Sequence, residues 1–487
     1  MQRITLWTAS LLAMAAVAGC GGSSGSSSGS TSSTDGSTST TAQTATVNLV
    51  VQDTPSTNLT VLSFQIQITG AVLQPGSVSL LPKPVTVDLA RLVSDTGLLS
   101  SAVIGSGTYT SLTMTFANPQ VTIANNSGAA IVTPTQTCAS GAVCTFAARL
   151  NSASLTISNG VFPITLTASS STGLALDLSI PDLLQSDLSV TLADGSSVNL
   201  SVLPQPKTGS VQAQLDDVLG VVQSVSSGQV KIKTAAGEQL VLTTDSNTAY
   251  NYPKAVCQTG GAECVLANQA ITTDISLLAN GGLQARSITF AAAPGAAVAQ
   301  GVIVATGSTA GSFQMLVRRV LPDSTGLTPG ELVDVTAQSA AAYSIASTSY
   351  PPVTGGTFSS ASDLISGQEV LVDVILPATV QTDGSPGFNS DQITLESSQI
   401  AGKVTSVDSG SQTFMLTNVW SLFKALSPAI AQLQVQTGTG TAFVNLTPAD
   451  LTALSAGSAA RVKGPLFRTT SGSNIPTMGA LQVNGRY

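Results

Sequence analysis

The side chains able to do chemistry are few, and one absence decides most of what they can do. The 487-residue chain has no histidine, so the commonest general base and the commonest zinc ligand are missing. Ser-His-Asp and Cys-His mechanisms are excluded with it. A Ser-Lys dyad, paired carboxylates or an oxygen-ligated metal remain. Ser421-Leu422-Phe423-Lys424 has S-x-x-K spacing and Lys207-Thr208-Gly209 is a K-T-G, but chemistry using both needs the S-x-x-K helix first, in a mixed α/β domain. Here the order is inverted and both lie among strands. The doublet Asp216-Asp217 and the scattered turn acids have no partner that spacing alone places about 5 to 9 Å away, as glycoside hydrolysis requires. Asp245-Ser246-Asn247 is the nearest approach to a calcium loop and carries too few charges, which leaves a loop calcium as an open alternative. Thr437-Gly438-Thr439-Gly440-Thr441 lacks the lysine and helix of a phosphate cradle and reads as a turn. Trp420, with Leu422 and Phe423, is the best candidate for an exposed apolar contact, although a core position is the stronger reading. The sequence therefore predicts no catalytic residue, no metal and no cofactor.

The N-terminus is more specific. Met1 to Cys20 has one positive charge at Arg3 and an apolar stretch of about 13 residues from Leu6 to Ala18, shorter than the roughly 20 needed to cross a bilayer. Val17-Ala18-Gly19-Cys20 resembles the bacterial lipobox, and that resemblance implies cleavage before Cys20 and acylation of its thiol. Gly21 to Thr44 is Gly/Ser/Thr-rich and reads as a tether with a typical reach of roughly 25 to 30 Å. Two or three acyl chains hold a protein essentially permanently. Gly rather than Asp after the cysteine resembles lipoproteins sorted to the outer membrane, facing the periplasm or the cell surface. With Cys20 assigned to lipid, Cys138 with Cys144 and Cys257 with Cys264 are expected to form two local disulfides in an oxidising compartment. A four-thiol metal site fits neither their spacing nor their separation.

The elements around these residues follow from composition and period. Charged residues are only 9% of the chain and hydrophobic ones 43%, with a net charge of −8. The acidic balance and scattered basic residues exclude nucleic acid as a partner; a protein or glycan partner stays open. Strand-length runs of alternating period, such as Leu62-Ser63-Phe64-Gln65-Ile66-Gln67-Ile68 and Ser111-Leu112-Thr113-Met114-Thr115-Phe116, predict an all-β protein. Only two short helices are expected, at Leu451 to Ser455, with Thr447 capping and Gly457 ending it, and at Asp88 to Val93.

From about Ala45 to Pro204 the chain carries Asp53-Thr54-Pro55, Val87-Asp88-Leu89 with Leu92, Gly107-Thr108-Tyr109 before a strand, and Leu176-Asp177-Leu178. This resembles the bacterial lipoprotein domain of unknown function numbered forty-three eighty-two, which implies an exported, transthyretin-like β-sandwich; the Cys138 to Cys144 loop looks like an insertion. Asp53 is expected to cap a turn, Gly107 to permit a bend, and Tyr109 to pack inward with its hydroxyl bonded. The remainder reads as a diverged repeat. Gly220-Val221-Val222-Gln223-Ser224-Val225, Gly301-Val302-Ile303-Val304-Ala305-Thr306 and Gly402-Lys403-Val404-Thr405-Ser406-Val407 open three units, which resemble the small β-barrel domain of unknown function numbered fifty-six sixty-six. The expected organisation is a signal peptide at 1–19, a tether at 20–44, a β-sandwich at 45–205, a linker at 206–217, and β-barrel repeats at 218–292, 293–397 and 398–487. Together these lead to a lipid-anchored envelope protein acting as a non-enzymatic binding or structural module, with a surface adhesin, or an envelope hydrolase using Asp and Ser of loops, as alternatives.

Overall fold

Alternation along the strands becomes alternation between core and surface. In the strand Ser111–Ala124, Leu112, Met114 and Phe116 are buried while Thr113 and Thr115 between them are not, as a pleated strand with one core face requires. The computed structural model describes residues 43–485 except 54–60, 93–95, 126, 134–135, 204–210, 236, 255, 323–324, 347–349, 381–385, 418, 420–429 and 469–474, and except the side chains of 376–380. The described part is one compact unit, Gln43–Tyr487, and it is all-β.

A β-sandwich comes first. One sheet orders Val198–Val202, Ser171–Leu178, Thr44–Gln52 and Gly97–Gly105. The other is built on the long antiparallel pair Val61–Gln74 and Ser111–Ala124. Their inner faces share one core that includes Leu49, Phe64, Ile66, Met114 and Leu176. Tyr109 is buried, and its hydroxyl donates to the Gly105 carbonyl at 2.8 Å. The turn that Asp53 is expected to cap lies outside the described residues, and Asp53 has a second partner. It is buried, and its carboxyl oxygen accepts from the Ile180 N–H at 3.2 Å, so it holds the start of the short α-helical turn Ile180–Leu183 that follows the neighbouring strand of the same sheet.

Three barrels follow, and their connectivity is the same. In the first, Val211–Ser226 pairs with Gln229–Thr234, which pairs with Gln239–Thr243; Ala270–Leu278 returns to the other side of the first strand, and Leu283–Ala292 closes the ring by running parallel to the third. The second repeats this order with Ala297–Thr306, Ser312–Leu321, Leu332–Ile345, Glu369–Val380 and Pro386–Leu395, a closed barrel. The third does so with Ser398–Asp408, Thr413–Thr417, Gln432–Gln436 and Ala459–Gly464, its last strand interrupted into Thr477–Gly479 and Gln482–Asn484. A fourth strand returning beside the first of a three-strand meander is a Greek key, and the fifth closes it into a barrel of the general form that OB-folds also take.

The repeated glycine has a steric cause. A Cβ on Gly301 would lie 2.2 Å from the Leu316 carbonyl oxygen of the neighbouring strand, and Gly402 and Gly220 meet the corresponding carbonyls of Thr417 and Lys233 at 2.8 and 3.0 Å. Just beyond each glycine the hairpin register slips, between Val222 and Ser224, Ile303 and Ala305, and Val404 and Ser406. The glycine admits the close approach and the bulge bends the strand round the barrel.

Three expectations need correction. The helix expected at Leu451 to Ser455 is one 3-10 turn, Leu451–Ala453, capped by Asp450, whose carboxylate accepts from the Thr452 N–H at 2.8 Å; Thr447 precedes a cis peptide to Pro448. The helix expected at Asp88 to Val93 is the 3-10 turn Leu89–Arg91. The linker expected at 206–217 is in part strand, since Val211–Ser226 begins seven residues before the first repeat was expected to open. Nor are the units separate beads. Leu219, Ala291, Val298, Leu321 and Leu371 form a core between the first two barrels, Val50, Ala175 and Leu277 one between sandwich and first barrel, and Leu62 of the sandwich joins the third barrel's core.

Candidate functional site

Two doublets of like charge interrupt apolar strands, Asp216-Asp217 in the first barrel and Arg318-Arg319 in the second. On a regular strand the members of a doublet point to opposite faces. Bulges change that here. Leu215 pairs with Ile275 and Val218 with Thr273, so both aspartates stand opposite Asp274 alone, and Asp217 takes a left-handed backbone with φ of 52°. Gln300 pairs with Arg319 and Gly301 with Val317, so Arg318 is an extra residue. Bulges re-aim side chains, and these two turn four charges toward the junction of the units.

The cluster they build is buried and drawn from every unit. Asp216 is bonded to Arg286 of its own barrel and, at 2.7 Å, to Lys463 of the third, which also lies 3.5 Å from Asp217. Arg318 Nη1 donates to Asp88 of the sandwich at 3.0 Å. Its Nε is 3.2 Å from Glu369 Oε1, close but misaligned for a hydrogen bond. Asp88 also accepts from the Ser63 hydroxyl at 2.8 Å and the Phe64 N–H at 2.9 Å. The Asp217 N–H donates to Asp274 at 3.0 Å. The Asp217 carbonyl oxygen receives Arg319 at 2.8 Å and Arg91 at 3.4 Å, so two guanidinium groups converge on one neutral acceptor. Glu396 accepts from the Gln300 amide. Burial, and then the Asp217 charge, raise the Asp274 carboxyl and push Glu396 well above the usual carboxylate range. Burial pushes Arg319 down to about 9, with the neighbouring Arg91 acting in the same direction.

Beside this cluster is a cavity of about 530 Å³, within the range of roughly 300 to 1,000 Å³ typical of ligand sites. The sandwich, first barrel and second barrel all line it. Arg91, Arg318, Arg319, Asp88 and Asp216 form its charged part, and Leu98, Leu215, Leu219, Leu240 and Val320 much of its apolar wall. Glu238 also lines it, its carboxyl raised by burial against the opposing influence of Lys83. Asp274 and Glu396 do not.

The other residues singled out by sequence are placed as follows. Cys138 is bonded to Cys144, with S–S 1.98 Å, and Cys257 to Cys264, with S–S 1.90 Å. Asp245 closes a turn by accepting from the Asn247 N–H at 2.8 Å, and takes a bond from the Gln284 amide at 2.8 Å. The 437–441 segment is a turn, with the Thr441 hydroxyl donating to the Ala480 carbonyl at 2.7 Å. Cys20, Lys207-Thr208-Gly209, Trp420 and Ser421 to Lys424 lie outside the described residues. Among the described residues, no helix is long and apolar enough to cross a membrane. Sequence reasoning left Asp216-Asp217 without partners and did not reach Arg318-Arg319 as a site. The available signal was a charged doublet inside an apolar run, in a chain so poor in charge.

Fold and site together define an all-β protein whose sandwich and three like barrels close round a buried ionic junction and a cavity. No protein-family model matches the chain, and neither does any curated protein.

Proposed function

We propose that the protein is a lipid-anchored, non-enzymatic binding module of the bacterial cell envelope, and that the junction cavity is its ligand site. The observation that carries the binding reading is the cavity itself: a concave, largely apolar space at a domain junction with a few convergent charged groups is the usual form of a small-molecule site. The envelope assignment rests on the lipobox-like Val17-Ala18-Gly19-Cys20 and the tether, and two disulfides accord with an oxidising compartment. A hydrolase at this place lacks its parts. The shifted carboxyls of Asp274 and Glu396 do not line the cavity, Asp88 and Asp216 on its wall are tied to cations, and Glu238 is left without a second carboxylate free to work with it.

The test is intact and native mass spectrometry of protein extracted from membranes. Acyl chains on Cys20 and a small molecule released on denaturation are the expected results. A Cys20→Ser variant that stays in the membrane fraction refutes the anchor. An empty protein that also takes up no probe refutes the binding site.

A further inference from the structure

Resting on that reading, we infer that the cavity takes a small amphipathic carboxylate, its head group held by Arg319 together with Arg91 and its apolar part laid against Leu98, Leu215, Leu219 and Leu240. The charges on the wall differ in how they are already used. Arg318 is committed to Asp88 at 3.0 Å and Glu369 at 3.2 Å. Asp216 is held by Arg286 and Lys463. Arg319 makes no ion pair with any described residue; its contacts are two neutral oxygens, the Asp217 carbonyl at 2.8 Å and the Gln300 amide at 3.5 Å. Arg91 has long contacts, 3.4 Å to the same carbonyl and 3.9 Å to Glu369. Two cations are thus held close together at the edge of a cavity, against their mutual repulsion, by a bulge whose left-handed residue turns a carbonyl toward both.

An arginine fork matches a carboxylate in plane and spacing, and a buried guanidinium lacking a contact anion gains most from one. Burial and Arg91 both disfavour the charge on Arg319, while the more distant carboxylates of Glu396, Asp217 and Glu369 favour it, and an anion in the cavity adds to the favourable side at contact distance. The acidic residues on the same wall weigh against a multiply charged ligand, and the leucines favour a hydrocarbon body over a sugar.

Decanoate, decanol and decylamine, titrated calorimetrically into the full purified chain at pH 7.5, test this. Decanoate is expected to bind with a stoichiometry of one, at least about tenfold more tightly than decanol, a difference of about 1.4 kcal/mol, with decylamine weaker still. Arg319→Gln is expected to lose about tenfold or more for decanoate while leaving decanol unchanged, which also shows that the variant is folded. Should Arg319→Gln fail to fold, Arg319→Lys keeps the charge and removes the fork, and is expected to weaken decanoate severalfold. Equal binding of decanoate and decanol, or undiminished decanoate binding by the variants, overturns the carboxylate inference and leaves the binding site standing. Failure of all three probes, with no molecule retained by the extracted protein, overturns both.

Discussion

Removing the Lys463 ammonium measures what the buried junction contributes. Lys463 is 4% exposed and stands 2.7 Å from Asp216 and 3.5 Å from Asp217. At an effective dielectric near 20, each contact amounts to about 5 to 6 kcal/mol of attraction, much of it offset by the several kcal/mol lost in dehydrating each ion. Lys463→Met keeps the stem and its packing but strands the acids. Asp216 still has Arg286, whereas Asp217 loses its ion pair while remaining next to Asp274. Breaking a buried pair in this way costs about 3 to 5 kcal/mol, and that is the expected loss in urea denaturation followed by far-UV circular dichroism. Adding Asp217→Asn removes the stranded charge, and asparagine tolerates the left-handed backbone at that position. The double variant should therefore recover at least about 1.5 kcal/mol relative to Lys463→Met alone, a coupling readable from the cycle. A cost below about 1 kcal/mol for Lys463→Met, or strictly additive effects, refutes the assignment of this pair as a tie between the first and third barrels.

The glycine series should rank by distance to the facing carbonyl. Gly301→Ala is expected to lose about 3 kcal/mol or more, Gly402→Ala less and Gly220→Ala about 1 kcal/mol or less; thermal melts giving any other order contradict the steric account. Asp373 titrates near 6 in the folded chain against 3.8 ordinarily, raised by burial, so its contribution to stability is full below about pH 4 and is lost as pH rises through 6. Asp53, Glu238, Asp274 and Glu396 are shifted in the same direction. The melting temperature should thus fall from pH 4 to pH 7, less steeply in Asp373→Asn; equal slopes remove Asp373 from the effect. The disulfides close small loops, so Cys138→Ala with Cys144→Ala should cost no more than roughly 2 to 2.5 kcal/mol. A much larger loss in chemical denaturation means that the bridge does more than restrain the unfolded chain.

What could be read from the sequence was local. Period-2 runs gave the strands, and Gly220, Gly301 and Gly402 marked the openings of the three barrels because one steric requirement recurs at each. The helices at 88–93 and 451–455 were overestimated since start and stop signals, read at Thr447 and Gly457 for the second, bracket a single turn as well as a long helix, and the turn that forms there is capped by Asp450 instead. The junction was not legible because its partners are remote: Arg318 bonds a residue 230 positions away, and no spacing rule reaches that far. Its bulges left only an indirect trace. On a regular strand the two members of Asp216-Asp217 or Arg318-Arg319 face opposite sides, so each doublet implied an exposed face, a strand covered on both faces as Ala297–Thr306 is, or a register slip.

The pairing registers explain how like barrels come to hold unlike charges. Gly220, Gly301 and Gly402 lie opposite Ile271, Val370 and Ala460 on the fourth strand of their barrels. Three residues further along that strand stand Asp274, Asp373 and Lys463. In the first two barrels this position is an acid satisfied from the closing strand of the same barrel: Ser287 donates to Asp274 at 2.7 Å and Ser390 to Asp373 at 2.7 Å. In the third barrel the sign is reversed, and the lysine reaches across to Asp216 and Asp217 of the first. One substitution of charge at a repeated position thus turns a bond internal to a barrel into a bond between barrels. Lys463 thereby joins a junction where this charge-poor chain gathers Arg91, Arg286, Arg318 and Arg319 with Asp88, Asp216, Asp217, Asp274, Glu369 and Glu396. Apolar contacts between similar barrels fix their approach but discriminate poorly among registers. An unpaired buried charge costs several kcal/mol, so the ion pairs between units penalise any arrangement that separates Lys463 from Asp216 or Arg318 from Asp88, and the cavity lies beside these ties.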